Sequence, residues 1–381
     1  MALRPGLIDL GLGHPDPSML PVEALRMSAD RAFARFGVHG LNYGWAAGPG
    51  PLLDWLRARV ATHEGRSVRP DQIALSAGIS QALDLLLTLN CKPGDAALVE
   101  SPVYHLAVRV LRDHPLRIEA VASDAEGLDP QQFADAIWRL RAVGAHPRVL
   151  YCVPTHNNPS GRSWTLARRR AIVEIAAHEG VLILEDDAYR ELTYEQVAPP
   201  SLWSMAPEGV VARMGSFSKS LAPGLRVGWI TASAAIIQGV TNSGLFDSGG
   251  GIAQFPATVI AAYLADHDFD AHVMRLQHAY RQRRDTLLGA LAQVAPGCVV
   301  NAPAGGFFAW VRIPGAVDQD VLFARAEAGG VSFIRGARFY AGDATPGRNH
   351  IRLCFAMLDL EQLREGAHRL AMALGSVTES K

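Results

Sequence analysis

From about Pro70 onward, short apolar runs alternate with longer amphipathic stretches. Ile73–Ser76, Ala96–Glu100, Val149–Val153, Val181–Asp186 and Val210–Gly215 are brief and largely apolar, the pattern of buried strands. Between them, Gln81–Leu89, Pro130–Val143 and Leu166–His178 carry helical spacing. Strand–helix alternation predicts parallel strands joined by crossover helices. The expected architecture is a large three-layer α/β/α domain with a mostly parallel sheet. In such sheets ligands bind beyond the carboxyl ends of the strands. Chemistry is therefore expected in the residues that follow each strand.

The pattern changes after about residue 265. Asp266–Val294 reads as one long helix rich in Arg and His, and Phe307–Ile313 and His350–Phe355 read as strands of a smaller α+β domain. The segment before Gly48 has many Gly and Pro residues and little regular pattern. The expected division is an N-terminal arm, part of the small domain, over 1–47. A large ligand-binding domain follows over 48–265, then the interdomain helix and small domain over 266–381. A chain of 381 residues is too long for one ordinary core, which agrees with two domains.

Composition narrows the function classes. Apolar residues make up 49% and charged residues 19%, a globular balance that excludes disorder. The 36 basic and 37 acidic residues nearly cancel, and no basic tract appears. Nucleic acid and membrane are therefore not expected partners, whereas small molecules are. Cys91, Cys152, Cys298 and Cys354 are far apart, which predicts neither a metal site nor a disulfide framework. Met1 to Gly11 lacks a signal-peptide core, and no apolar run is long enough to cross a membrane. A reducing cytoplasm is the expected location.

The common cofactor signatures are missing: there is no P-loop, no strand followed by Gly-x-Gly-x-x-Gly, and no His-Glu-x-x-His. Instead, Ser216-Phe217-Ser218-Lys219 follows a predicted strand, and Arg226 follows in Gly224-Leu225-Arg226-Val227-Gly228. A lysine at a strand end is usually only a solvated charge. Hydroxyls and a guanidinium beside it make a phosphate site, however. An amine beside a phosphate site is what an aldehyde cofactor on a phosphate handle requires.

Ser-x-Ser-Lys followed by Arg-x-Gly resembles the lysine motif of the class I/II aminotransferases of pyridoxal-phosphate fold type I. The resemblance extends over nearly the whole chain. It is nearest to the α-aminoadipate and kynurenine aminotransferase branch, which includes the catalytic half of some transcription regulators. This chain is too short for an added DNA-binding domain. The resemblance implies pyridoxal 5′-phosphate held as a Schiff base on Lys219, with Ser216, Ser218 and Arg226 on its phosphate.

Other segments read two ways. Glu185-Asp186-Asp187-Ala188-Tyr189 ends a strand, and its acids can simply cap the turn. The resemblance instead puts Asp186 under the pyridine nitrogen and Tyr189 on the ring's phenolic oxygen. Asn157-Asn158-Pro159-Ser160-Gly161 is a turn by composition. The resemblance aims Asn158 at the same oxygen and at the substrate. Ser76-Ala77-Gly78-Ile79-Ser80 joins a strand to a helix, an arrangement suited to an anion. By resemblance, Gly78, Ile79 and Ser80 hold the phosphate, although a serine often stands where Ile79 does. Tyr104 matches the aromatic that stacks on the ring. Tyr43 matches a tyrosine that reaches the phosphate in the neighbouring subunit, which implies a homodimer.

Arg352 lies within a predicted strand, where an unpaired cation is costly to bury. By resemblance, its partner is the substrate's α-carboxylate, with Gly13 and Phe308 on the substrate side. His14 and His156 sit beside matched positions, without assigned chemistry. The implied reaction is amino transfer from an α-amino acid to a 2-oxo acid. Two features keep elimination, replacement or cyclisation open. The resemblance implies a longer segment before Gly13, and Ser248–Gly251 reads as a glycine loop with room for a bulky substrate. A cofactor-bound regulatory module is the non-enzyme alternative.

Overall fold

The structure is a computed structural model that describes residues 5–315 and 317–378. A seven-stranded sheet forms its centre. Across it run Ile73–Ser76, Gly228–Thr231, Val211–Ser216, Leu182–Asp186, Pro147–Cys152, Ala96–Ser101 and Arg117–Ala122. Only Gly228–Thr231 is antiparallel to its neighbours. The sheet is therefore mostly parallel, as the alternation predicts. Apolar clusters pack on both faces, one around Leu98, Ile183 and Val211, the other around Val99, Leu184 and Met214. Adjacent residues of one strand fall in opposite clusters, which is the period-two alternation of a strand.

The pairing brings the motifs to one edge. Gly228 pairs with both Ser76 and Ser216, and Met214 pairs with Asp186. The turns after Ser76, Asp186 and Ser216 therefore leave the sheet at neighbouring points.

A second sheet holds Ile334–Arg335, His350–Cys354, Phe308–Arg312 and Val299–Val300. Ile8–Asp9 pairs in parallel with Val331–Ser332, and Cys354 donates its N–H to the carbonyl of Leu10. The N-terminal segment is thus tied to the small sheet. Arg283 of the long helix grips it further, donating to Asp16 and to the carbonyl of Ala356.

Three sequence expectations are corrected. The segment before Gly48 contains a helix, Val22–Phe36, where little pattern was expected. Its inner face packs Ala32 against Val259 and Ala262, and the more exposed Phe33 ring contacts Phe255. The Pro and Gly residues that obscured it mark its ends, Pro21 before the first turn and Gly37 after the last. The long helix begins at Phe269, not Asp266, because Asp268 caps it by accepting from the N–H of Ala271. Ser248–Gly251 is not an open loop. Gly244–Gly249 is helical, and Gly250 and Gly251 have positive φ. A Cβ there would lie 2.4 Å from the carbonyl oxygen of Gly44 and 2.5 Å from that of Trp45. Gly250 and Gly251 thus admit neighbouring backbone, whereas a Cβ on Gly249 would meet nothing within 4 Å.

Candidate active site

A cavity of about 490 Å³ opens where the strand ends meet the small sheet. Its lining brings together Gly13, Ile79, Ser80, Tyr104, Asn158, Asp186, Tyr189, Ser216, Ser218, Lys219, Arg226, Phe308 and Arg352. Gly78 lies at its edge, against Arg226. Tyr43 is elsewhere and 81% exposed, so it does not join its own chain's cavity. Such a volume suits a small cofactor together with a small substrate.

The Lys219 amine donates to the carbonyl of Gly13 at 3.0 Å and sits 5.6 Å from the Phe307 ring centre. The side chain is half-buried along its length, but its nitrogen is enclosed by protein. That burial pulls its pKa down to about 8. A useful fraction of neutral amine, the nucleophilic form, is then present near neutral pH.

Asp186 faces the cavity because strand alternation separates it from both acidic neighbours. Glu185 points to the other face and accepts from the N–H groups of Leu202 and Trp203. Asp187 is bound by Arg190 at 2.7 Å and Arg213 at 2.8 Å. Burial alone would raise the Asp187 pKa, but the two arginines overcome it and hold Asp187 well below the ordinary range. Asp186 pairs with neither. Burial raises its pKa to about 6, against hydrogen bonds from the Tyr151 hydroxyl at 2.7 Å and the Ala188 N–H at 3.3 Å. It is a buried carboxylate open to a cationic or N–H-bearing ligand.

At one end of the cavity, Ser216 donates to the hydroxyl of Ser218 at 2.8 Å. Arg226 reaches across to the carbonyl of Ala77 at 2.9 Å. Gly78 has φ +88°, and a Cβ on it would lie 2.6 Å from an Arg226 nitrogen. The helix Ile79–Asn90 starts there without a side-chain cap. Hydroxyls, a guanidinium and a helix N-terminus converge as an anion cradle that any side chain at 78 would fill.

At the other end, Arg352 donates to Asn158 Oδ1 at 3.0 Å and to the carbonyl of Gly11. It lies over the Phe308 ring, 4.2 Å from its centre, and its buried Nε has no partner. Burial lowers its pKa. Among the described residues no carboxylate pairs with it. Gly13 abuts Phe308, so the N-terminal segment and the small sheet close this end together.

His14 lines the rim, and burial and Lys219 lower its pKa. His156 is outside the cavity. It is fully buried, bonded to Thr193 at 2.8 Å, and burial pulls its pKa down to about 3. It is a neutral pin under the Asn158 turn. Of the polar lining residues, two are not marked by any sequence motif, Tyr151 and His105. The signal for Tyr151 was a phenol inside an apolar strand, which needs a polar partner. The burial of His105, against Tyr104 and Phe339, brings its pKa down to about 4.

Residues 11–370 match the family described as aminotransferase class I and II. The chain belongs to this family. It is 33% identical to the 2-aminoadipate transaminase of Thermus thermophilus over 97% of its own length and 91% of that protein's. With aromatic-amino-acid aminotransferase 1 of Thermococcus litoralis the identity is 30%, over 96% and 87%. Among solved structures it is similar to LysN, the α-aminoadipate aminotransferase of T. thermophilus, complexed with N-(5′-phosphopyridoxyl)-L-leucine. That match has a TM-score of 0.88 and 29% identity, over 99% of this chain and 94% of that one. The protein is thus a pyridoxal-phosphate-dependent enzyme of fold type I that transfers amino groups, in the aminoadipate and kynurenine branch. The residues present fit that cofactor: an anion cradle, an enclosed amine and a buried carboxylate without a cation occupy one cavity. No described helix is long and apolar enough to cross a membrane.

Proposed function

We propose that Lys219 carries the cofactor, and that the cavity transfers the amino group of an α-amino acid to a 2-oxo acid. The observation that carries this is the meeting of the enclosed Lys219 amine, Asp186 and Arg352 in one cavity. Ser216, Ser218, Arg226 and the N–H groups of Gly78, Ile79 and Ser80 hold the phosphate. Asp186 keeps the proton on the ring nitrogen, Asn158 and Tyr189 donate to the phenolic oxygen, and Tyr104 covers the ring. When bound, pyridoxal phosphate supplies a reactive aldehyde and a ring that takes up the electron pair of the Cα–H bond.

Arg352 binds the substrate's α-carboxylate as a guanidinium fork, with its idle Nε turned to use. Gly13 and Phe308 set the depth at which that carboxylate seats. Once the substrate's amine has displaced it from the cofactor, the freed Lys219 amine would be placed to take the Cα proton and to return it at C4′. Its lowered pKa, about 8, suits both directions of transfer. Leu12, Ile334, Phe308 and the neutral His105 support a substrate with an aromatic or aliphatic side chain.

The active unit is a homodimer in this reading, with Tyr43 reaching the partner's phosphate. Its support is a cluster of exposed apolar residues, Val38, Leu41, Tyr43 and Trp45. Four free cysteines support a reducing cytoplasm. The test is borohydride reduction followed by peptide mapping, then incubation with phenylalanine, leucine and 2-aminoadipate. The adduct is expected on Lys219, with the pyridoxamine form generated fastest by the first two donors. An adduct on another lysine overturns the assignment, and preference for 2-aminoadipate overturns the substrate class.

A further inference from the structure

Tyr151 is the last residue but one of the strand Pro147–Cys152 and pairs with Leu184 in the next strand. Leu184 and Asp186 share a face, because strand side chains alternate. Tyr151 therefore lies diagonally behind Asp186 on the cavity side, within reach of a long side chain. Its hydroxyl donates to Asp186 Oδ2 at 2.7 Å, and both residues are buried.

We propose that Tyr151 is a positioning residue for amino transfer: its hydroxyl fixes the Asp186 carboxylate toward the cofactor's ring nitrogen and keeps their shared proton on that nitrogen. This rests on the assignment of Asp186 under the proposed function.

The arginines that contact the adjacent Asp187, Arg190 and Arg213, are committed to it and also lie within 3.3 Å of Glu64. The backbone supplies only the N–H of Ala188, at 3.3 Å. The groups with the largest effect on Asp186 are Tyr151 from the adjoining strand, Ala188 and Asp187 from its own segment, and Lys219 from the turn after Ser216, with Tyr104, Tyr189 and Cys152 also facing it. Asp187 and burial push the proton onto Asp186, whereas Tyr151, Ala188 and Lys219 push it off. Of the two hydrogen bonds, that of Tyr151 is much the shorter.

A hydrogen bond to the ionised form favours that form. A carboxylate and a ring nitrogen that share one proton respond as a pair, so stabilising the carboxylate leaves the proton on nitrogen. The bond also fixes the carboxylate plane. Oδ2 is held by Tyr151, Oδ1 takes only the long contact from the Ala188 N–H, and the other lone pairs are left to the cavity. Without it, a terminal carboxylate torsion is broad and loosely set.

The experiment loads the enzyme with cofactor labelled with nitrogen-15 in the ring and follows the ring nitrogen's signal against pH. Wild type should hold the protonated position through neutral pH. Tyr151→Phe keeps the shape and removes the donor. Its signal should move toward the unprotonated position, and kcat should fall about tenfold with little change in KM, as loss of one bond to a charged group implies. A ring-fluorinated tyrosine at position 151, of nearly the same shape and more acidic, should keep the nitrogen protonated to higher pH. This arm stands if the phenylalanine variant folds poorly. In the Asp186→Asn background, Tyr151→Phe should change nothing further. Ring-nitrogen titrations that match wild type in both position-151 variants would overturn the proposal and leave Tyr151 as core packing. If Asp186→Asn itself leaves the signal unmoved, the parent assignment falls, and the role of Tyr151 falls with it.

Discussion

Two groups of charges lie back to back across one strand end, and they are handled in opposite ways. Behind the sheet, Glu64, Asp187, Arg190 and Arg213 are buried and matched, two acids against two bases. In the cavity, Asp186, Lys219 and Arg352 are also enclosed, yet none forms an ion pair among the described residues. The matched cluster balances its own charges, and none of its four members lines the cavity. The unmatched groups cost folding energy, and that cost is recovered only when a ligand carries the missing charges. Adjacent residues, Asp186 and Asp187, fall on the two sides because a strand alternates its faces.

The comparison can be broken most severely at Asp186. Asp186→Asn still packs and still accepts from Tyr151, but it cannot hold the ring proton as an ion. Turnover should fall by about three orders of magnitude or more, in line with loss of a preorganised charge. Single-turnover kinetics should locate the loss in Cα–H cleavage, with cofactor attachment intact. If Asp187→Asn gave the kinetic defect while Asp186→Asn did not, the two sides of the strand would have been assigned the wrong way round.

Arg352→Ala sharpens the picture at the opposite end. Removing the guanidinium leaves the substrate carboxylate without its partner, a loss of about 3 kcal/mol, or roughly 100-fold. The effect should appear chiefly in KM, and Arg352→Lys should recover only part of it, since a point charge cannot reproduce the fork. Equal KM values for wild type and Arg352→Ala would mean that the carboxylate binds elsewhere. The smallest effect is expected at Tyr43. Tyr43→Phe should weaken cofactor binding about tenfold, the worth of one hydrogen bond to a charged group. Sedimentation should still give a dimer. A fully active monomer would remove Tyr43 from the site.

Much of this was legible in the chain because the large sheet is built from local pieces. Each strand and the turn after it are contiguous, so the residues from Ser76 to Ser80, Asp186 to Tyr189 and Ser216 to Arg226 carry their own context. What was missed depends on neighbours distant in sequence. Tyr151 gains meaning only when Leu184 is known to lie beside it. The glycines at 250 and 251 read as empty space until the backbone of Gly44 and Trp45 is seen to occupy it. The helix Val22–Phe36 was hidden by the Pro and Gly residues that end it. Arg352 was recognised as lacking a carboxylate, but its contacts with Asn158 and Gly11 join three separate segments.

Asp186 is held ionisable at a cost to the fold, while Asp187 stabilises it. The direct measurement is denaturant unfolding of the cofactor-free enzyme with either acid changed to its amide. Burial raises the Asp186 pKa to about 6 from an ordinary value of 3.8. The folded state therefore binds the proton more tightly, and stability falls as pH rises from about 4 to about 6. At pH 8 the full cost is present, about 3 kcal/mol for a carboxyl raised from 3.8 to about 6. Asp186→Asn should thus be more stable than wild type at pH 8 by up to about that amount, with the advantage fading near pH 4. Asp187→Asn should instead lose about 3–5 kcal/mol at pH 8, as expected for breaking a buried ion pair. Destabilisation by Asp186→Asn comparable to that of Asp187→Asn would contradict the account.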